Sequence, residues 1–309
     1  MASIAVAQPA QVFRIGWLSN DRAAGSPFLD AVREGLREFG YVEGRNLIID
    51  ARWGEGSAER IEQLAADLVR SQPQVIVTQG GPATHPVRRA GATMPVVFLN
   101  SGDPVAAGLV DSFARPGGNF TGISLLSLEL VGKRMELLKE IIPSLRRIAV
   151  LANPEHPGEP GELRASREAA RRLGVAIEYF QVRSMADLEA ILPAVLKSRS
   201  EAIVLFPDAA TMRYSERLAQ FAARNRIPAI SGWAMFVDRG NLMSYGPNQR
   251  ESYRRLAFYI DKILKGAKPS ELPVELPARV ELVVNIRAAR AIGLTVPRTV
   301  LLRADRVSE

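Results

Sequence analysis

The chain has 309 residues, of which 47% are apolar and 24% charged, and its 40 Lys and Arg against 33 Asp and Glu give a formal charge of +7. That length exceeds most single compact domains and suits two lobes of about 150 residues each. Cysteine is absent, which excludes disulfides, thiolate metal sites and cysteine nucleophiles, and no apolar run approaches the roughly 20 residues of a membrane-spanning helix.

Taken in order, the chain opens on MASIAVAQPAQ, where Ala5-Val6-Ala7 fits the small-x-small pattern before a signal-peptidase cut. Residues 1–11 are therefore expected to be the tail of an export signal; the alternative is an N-terminus without meaning. Val12 to Leu18 reads as a strand ending in the polar loop Ser19-Asn20-Asp21. Pro27 begins a helix with Phe28, Leu29, Val32, Leu36 and Phe39 on one face, closed by Gly40. Asn46 to Trp53 is a second strand, and Ser57 caps a helix whose buried stripe is Ile61, Leu64, Ala65 and Leu68.

Val75 to Thr78 is a buried strand running into Gln79-Gly80-Gly81-Pro82-Ala83-Thr84. Glycines at a helix N-terminus let backbone amides approach a carboxylate or another anion; the alternative is a tight turn. The stretch is neither a dinucleotide fingerprint nor a P-loop, because G-x-G-x-x-G and Gly-Lys-Ser/Thr are both missing. Val96 to Leu99 is a fourth buried strand, followed by Asn100-Ser101-Gly102-Asp103-Pro104 and, after Pro116-Gly117-Gly118-Asn119, by a strand from Phe120 to Ser124. Strand–helix units in series imply right-handed crossovers and a parallel sheet, with ligand-binding loops at the carboxyl ends of the strands.

The rhythm then repeats. Leu125 to Ile142 reads as a long amphipathic helix, Arg147 to Ala152 as a buried strand ending in Asn153-Pro154, and Glu162 to Leu173 as a helix ended by Gly174. Strands are expected at Ile177–Val182, Ala202–Phe206 and Pro228–Ser231, with helices at Met185–Lys197 and Met212–Arg224. Beyond this come a strand at Leu242–Tyr245, a turn at Gly246-Pro247-Asn248 and a helix at Tyr253–Leu264. The chain closes with an extended proline-rich piece at Pro269–Pro277, a strand at Val280–Ile286 and a short helix capped by Asn285; the tail after Gly293 shows amphipathicity and no more.

Several stretches together resemble the substrate-binding proteins of one family of bacterial ABC importers, whose characterised members include aromatic amino-acid binders. They are Phe28–Asn46, Pro95–Val110, Arg115–Gly122, Ala149–Pro154, Ser244–Asn248 and Ile263–Glu275. The resemblance spans nearly the whole chain, and it is carried by the order and spacing of these pieces. It implies an α/β chain of the type I periplasmic-binding-protein fold: two Rossmann-like doubly wound lobes joined by a multi-strand hinge. The lobes are expected at residues 12–123 with 249–278, and at residues 124–248 with 279–309. It further implies a monomer in the periplasm or another extracytoplasmic space, which closes around a small molecule and hands it to an ABC importer's membrane permease. No catalysis, cofactor or metal is implied.

Carried onto this chain, the ligand-binding residues are Ser19, Asn20, Gln79, Gly80, Gly81, Pro82, Asn100, Ser101, Gly102, Asp103, Asn153, Asp208, Trp233 and Tyr245. Asp208, at a strand's carboxyl end, could pair with a ligand ammonium or cap the following helix. Asp103 before Pro104 fits a cap or an anchored turn. Trp233 could stack on a ligand, edging a pocket with Phe236, or pack at the hinge; Tyr245 could donate its hydroxyl or simply pack. The chain departs from its aromatic-binding relatives in a longer loop at Asn20–Gly25 and in Gly81, where those carry Thr, so the ligand is left as an amino acid or an aromatic or branched carboxylate. His85 and His156 stand beside prolines without metal-ligand spacing. The positive charge is spread along helices, as at Arg88/Arg89 and Arg171/Arg172, which suits a solvated surface rather than nucleic acid. The competing reading is a cytoplasmic ligand sensor or enzyme on the same architecture.

Overall fold

A computed structural model describes residues 11–23, 26–126 and 128–309; the expected export-signal tail, apart from Gln11, and the end of the Asn20–Gly25 loop lie outside the described residues. The chain divides into two compact units. The first holds residues up to Asn100 with Gly108–Ile123 and Arg250–Glu275; the second holds Ser101–Ala107, Ser124–Gln249 and Leu276–Glu309.

The first unit is built on a five-stranded sheet in the order β2-β1-β3-β4-β5. Its strands are β1 (Phe13–Ser19), β2 (Leu47–Trp53), β3 (Val75–Gln79), β4 (Val96–Asn100) and β5 (Phe120–Ser124). β1 runs parallel to both β2 and β3, and β3 parallel to β4. The central strands are uniformly apolar because helices cover both faces of such a sheet: Val75, Ile76, Val77, Val96, Val97 and Phe98 are fully buried. Around them lie α1 (Pro27–Glu38), α2 (Ala58–Arg70), α3 (Gly81–Arg89) and α10 (Gln249–Leu264). Ser26 and Ser57 cap α1 and α2, each accepting a backbone N–H three residues on. Gly35 lets α1 and α10 touch: a Cβ there would fall 2.5 Å from the Arg254 carbonyl oxygen. Phe39 is 40% exposed, because α1 stops at Glu38 and the chain turns away before that residue reaches the core.

The second unit carries a seven-stranded sheet in the order β12-β11-β10-β9-β8-β6-β7. It comprises β6 (Arg147–Ala152), β7 (Ala176–Gln181), β8 (Ala202–Leu205), β9 (Ala229–Ser231), β10 (Met243–Pro247), β11 (Val280–Asn285) and β12 (Arg306–Ser308). All neighbours run parallel except β10 and β11. Its first five strands repeat the order of the first unit, and β11 and β12 extend it. Packed on the sheet are α4 (Glu129–Ile141), α5 (Glu159–Leu173), α6 (Met185–Lys197), α7 (Ala209–Met212), α8 (Ser215–Asn225), α9 (Ala234–Asp238), α11 (Ile286–Ala291) and α12 (Arg298–Leu301).

Several boundaries differ from the sequence reading; α5 and α10, for instance, begin at Glu159 and Gln249. α4 begins at Glu129 rather than Leu125, since Leu126 N–H is taken by the Ser124 hydroxyl in a local turn. The helix expected over Met212–Arg224 is two helices broken at Arg213-Tyr214, where the Ser215 hydroxyl bonds back to the Met212 carbonyl. β10 continues through Gly246 and Pro247 instead of turning there. Gly246 permits this because a Cβ would lie 1.9 Å from the Gly232 carbonyl oxygen. The tail forms β12 against β11.

Candidate ligand-binding site

In the first unit, the predicted residues gather at the carboxyl ends of β1, β3 and β4. Ser19 is fully buried, and its hydroxyl accepts from Asp21 N–H at 3.0 Å, fixing the turn after β1. Asn20 lies in the space left by Gly54, where a Cβ would come 2.4 Å from Asn20 Oδ1. Gln79 Nε2 donates to Asp21 Oδ2 at 2.5 Å. The amide oxygens of Asn20 and Gln79 are buried without a hydrogen-bond partner. Buried acceptors of this kind cost stability unless something else meets them.

Gly80 caps α3 with φ of +75°, a left-handed conformation that favours glycine, and it supplies no side-chain bond to the helix. Ala83 and Thr84 N–H both turn to the Gly80 carbonyl and Pro82 has no N–H. That leaves the Gly81 amide as the first-turn donor for a ligand anion. Asn100 is buried and tied into the fold: its Oδ1 lies 2.9 Å from the Thr84 hydroxyl, which also sits 2.7 Å from that of Thr78. Beside these ends an aromatic cluster forms. Trp17 packs against Trp53 and Tyr253 with ring centroids 6.3 and 6.0 Å away, and Phe28 stacks on Tyr253 at 4.4 Å. Trp53 and Phe28 remain half-buried.

The second unit carries charge. Asp208 is buried after β8; its Oδ1 caps α7 by accepting from Ala210 N–H at 3.0 Å, and its Oδ2 accepts from Asn153 Nδ2 at 3.0 Å. The capping alternative is thus realised, with lone pairs of the carboxylate still unused. Ser101, Gly102 and Asp103 belong to this unit by their contacts. The Ser101 hydroxyl pairs with His156 Nε2 at 2.9 Å, and His156 Nδ1 accepts from Gly158 N–H, so the ring is neutral with its proton on Nε2 and burial holds its pKa down. Gly102 accepts from the Ser124 hydroxyl, and Asp103 Oδ1 anchors its turn through Val105 and Ala106 N–H. Trp233 is 6% exposed and Phe236 fully buried, and both lie beside β9 at the start of α9. Tyr245 is half-buried in mid-strand, and its carbonyl accepts from Arg134 Nε at 2.8 Å.

Arg134 and Glu162 went unnoticed in the sequence. Both are buried, Arg134 at 1% exposure, and Arg134 Nη1 lies 3.6 Å from Glu162 Oε1. Arg134 Nη1 and Glu162 Oε2 have no hydrogen-bond partner. Gly232, after β9, makes room for the guanidinium, since a Cβ there would meet Arg134 Nη2 at 2.6 Å. Burial, with Asp208 and Glu159 adding to it against the opposing pull of Arg134, pushes the Glu162 carboxyl up to about 7. Arg134 loses basicity through burial but stays a cation. A separate cavity of about 440 Å³ lies at the other end of this sheet, with Ala219, Ala222, Ala288 and Ala291 among its lining residues beside polar ones such as Asn285 and Arg287.

Two doubly wound units with polar carboxyl-end loops define a two-lobed protein of the type I periplasmic-binding-protein class. Residues 25–308 match the ABC transporter substrate binding protein family, and the chain belongs to it. A conserved domain protein from Vibrio cholerae is 29% identical, with a TM-score of 0.87 over 96% of this chain and all of that one. The ABC domain from Streptococcus pneumonia in complex with L-Trp is 25% identical, with a TM-score of 0.88 and coverage of 96% and 100%. A tyrosine-binding protein of Clostridioides difficile is 22% identical over 273 residues, 87% of this chain and 78% of that protein. No helix among the described residues is long and apolar enough to cross a membrane.

Proposed function

We propose that this chain is an extracytoplasmic receptor that binds an amino acid, aromatic in preference, and delivers it to the permease of an ABC importer. The observation that carries the reading is the collection of buried, unpartnered polar groups at the carboxyl ends of both sheets: Asn20 Oδ1 and Gln79 Oε1 in the first unit, Arg134 Nη1 and Glu162 Oε2 in the second. A zwitterion needs one cationic and one anionic partner. In the second unit Asp208 offers a carboxylate for an ammonium; in the first, taken by itself, the Gly81 amide at the α3 N-terminus offers a donor for an anion. Phe28 and Trp53 supply aromatic surface for a ring. The L-Trp and tyrosine ligands of the two relatives support this ligand class. Ligand energy would select the closed population of the receptor, with no bond made or broken.

The test is a thermal-shift panel of amino acids, aromatic acids, sugars and nucleosides against the purified chain. A ligand at about a hundred times its Kd adds roughly 2.7 kcal/mol, so an aromatic amino acid is expected to raise the melting temperature by several degrees. A response confined to sugars or nucleosides would dismiss the amino-acid reading.

A further inference from the structure

The apolar face of α4 is broken by one charge. Leu130, Arg134, Leu138 and Ile141 follow helical spacing, and all four are buried. α5 answers with Glu159, Glu162 and Ser166 on its own buried face. Loops after β6 and β8 add Asn153, His156 and Asp208. Glu162 thus has the carboxylates Glu159 and Asp208 as neighbours and one guanidinium, Arg134, as its ion-pair partner, while His156 is neutral. The other ionisable groups facing this cluster are Glu129 and Tyr245 beside Arg134, Tyr179 beside Glu159 with Arg167 and Arg183 beyond that ring, and Tyr214 near Asp208 with Arg213 beside it. The cation that acts on Glu162 itself is Arg134. Buried negative charge in excess is unfavourable unless it is neutralised by a proton or by a bound cation. Arg134 is already committed through Nε to the Tyr245 carbonyl, and it reaches only one oxygen of Glu162, at 3.6 Å, leaving Oε2 unmet.

We propose that Glu162, buried beside Arg134 with one carboxylate oxygen unmet, is a specificity-determining positioning residue: acting through Asp208, it makes the carboxyl end of the second unit's sheet selective for a ligand ammonium, and amine binding releases a proton from this cluster. This rests on the amino-acid reading above and deepens it. The sign follows from charge. A protonated Glu162 removes one negative charge from the neighbourhood of Asp208 and weakens the attraction for an ammonium. An ammonium at Asp208 favours ionised Glu162, so the proton leaves as the ligand arrives. Affinity for an amine-bearing ligand therefore falls as pH falls through the range in which Glu162 titrates. A carboxylate without an amine gains nothing from Glu162 ionisation and does not show that loss.

The experiment is calorimetric titration of the whole chain with L-tryptophan, L-tyrosine and indole-3-propionate at pH 6, 7 and 8, in two buffers of different ionisation enthalpy. For a group titrating near 7, affinity for the amino acids is expected to drop about tenfold from pH 8 to pH 6, with close to one proton released per ligand at pH 6. Ligand ammonium and carboxylate do not titrate in this window. Glu162→Gln, which keeps the shape and fixes the neutral form, flattens the profile at the weaker value. The native chain alone decides the matter should that variant fold poorly. Amino-acid binding of equal strength at pH 6 and 8 without proton release overturns this inference and leaves the proposed function standing. No binding of any amine-bearing ligand at any pH overturns both.

Discussion

The two units share one strand order and differ in what their loops carry. In each, the second strand lies outside the first and the third, fourth and fifth follow on the other side, so polar loops collect at one end of both sheets. In the first unit that end is furnished with amides and hydroxyls: Ser19, Asn20, Gln79, Thr84 and Asn100, with Asp21 exposed beside them. In the second it is furnished with buried charge: Arg134, Glu159, Glu162 and Asp208. Topology sets where a ligand can be met; the side chains of α4 and α5, which flank the second sheet alone, decide with what charge. The neutral end suits hydrogen-bond acceptance and aromatic contact, and the charged end suits an ammonium.

That contrast can be attacked from its strongest point. Arg134→Met leaves Glu162 and Asp208 without their internal cation, and breaking one partner of a buried pair costs about 3–5 kcal/mol. Urea denaturation should show it, and Glu162→Gln added to Arg134→Met should recover part of the loss. If Arg134→Met is as stable as the native chain, the second unit's charge is not held as described. Asp208→Asn keeps an N-cap for α7 but removes the charge; amino-acid affinity is expected to fall at least tenfold, about 1.4 kcal/mol. In the first unit the effects should be smaller. Thr84→Val, which cuts Thr78 and Asn100 from their shared hydroxyl, is expected to cost about 1–3 kcal/mol of stability. At the surface, Arg254→Ala opens the Arg254–Glu38 pair between half-exposed side chains and should cost under about 1 kcal/mol.

A pH series sharpens the same comparison without ligand. Glu162 has its folded pKa raised by burial and by Asp208 and Glu159. The stability tied to its proton is fully present below the ordinary carboxyl range and is lost as pH rises through about 7. The melting temperature of the native chain should therefore decline between pH 5 and pH 8 relative to that of Glu162→Gln. Parallel curves would mean that Glu162 carries no proton in the folded chain.

Most of the sheet was legible because its strands are short buried runs bounded by turn residues, as Arg147–Ala152 and Val75–Gln79 show. β12 was not. Three residues on an edge, two of them exposed, carry no periodicity, and the strand exists only because β11 lies beside it. The first unit's candidate residues lay at strand ends and could be read one by one. The second unit's pair could not, since Arg134 and Glu162 stand on separate helices and neither sits in a motif. One signal was available for Arg134, which interrupts the apolar series Leu130–Arg134–Leu138 at i, i+4 spacing; Glu162 shares its buried face with Glu159 and Ser166 and has no such signal. A charge at a core position is worth pursuing before a charge on a solvated face. Trp233 and Phe236 show the converse: an aromatic after a strand end reads the same in sequence whether it faces a ligand or the core, and both are buried.

The most direct test of the account is a calorimetric titration of L-tryptophan into the native chain and into Asp208→Asn at pH 8. The account predicts saturable one-to-one binding to the native chain and at least a tenfold weaker Kd in the variant, with both proteins equally folded. Equal affinity in the two would contradict the ammonium site.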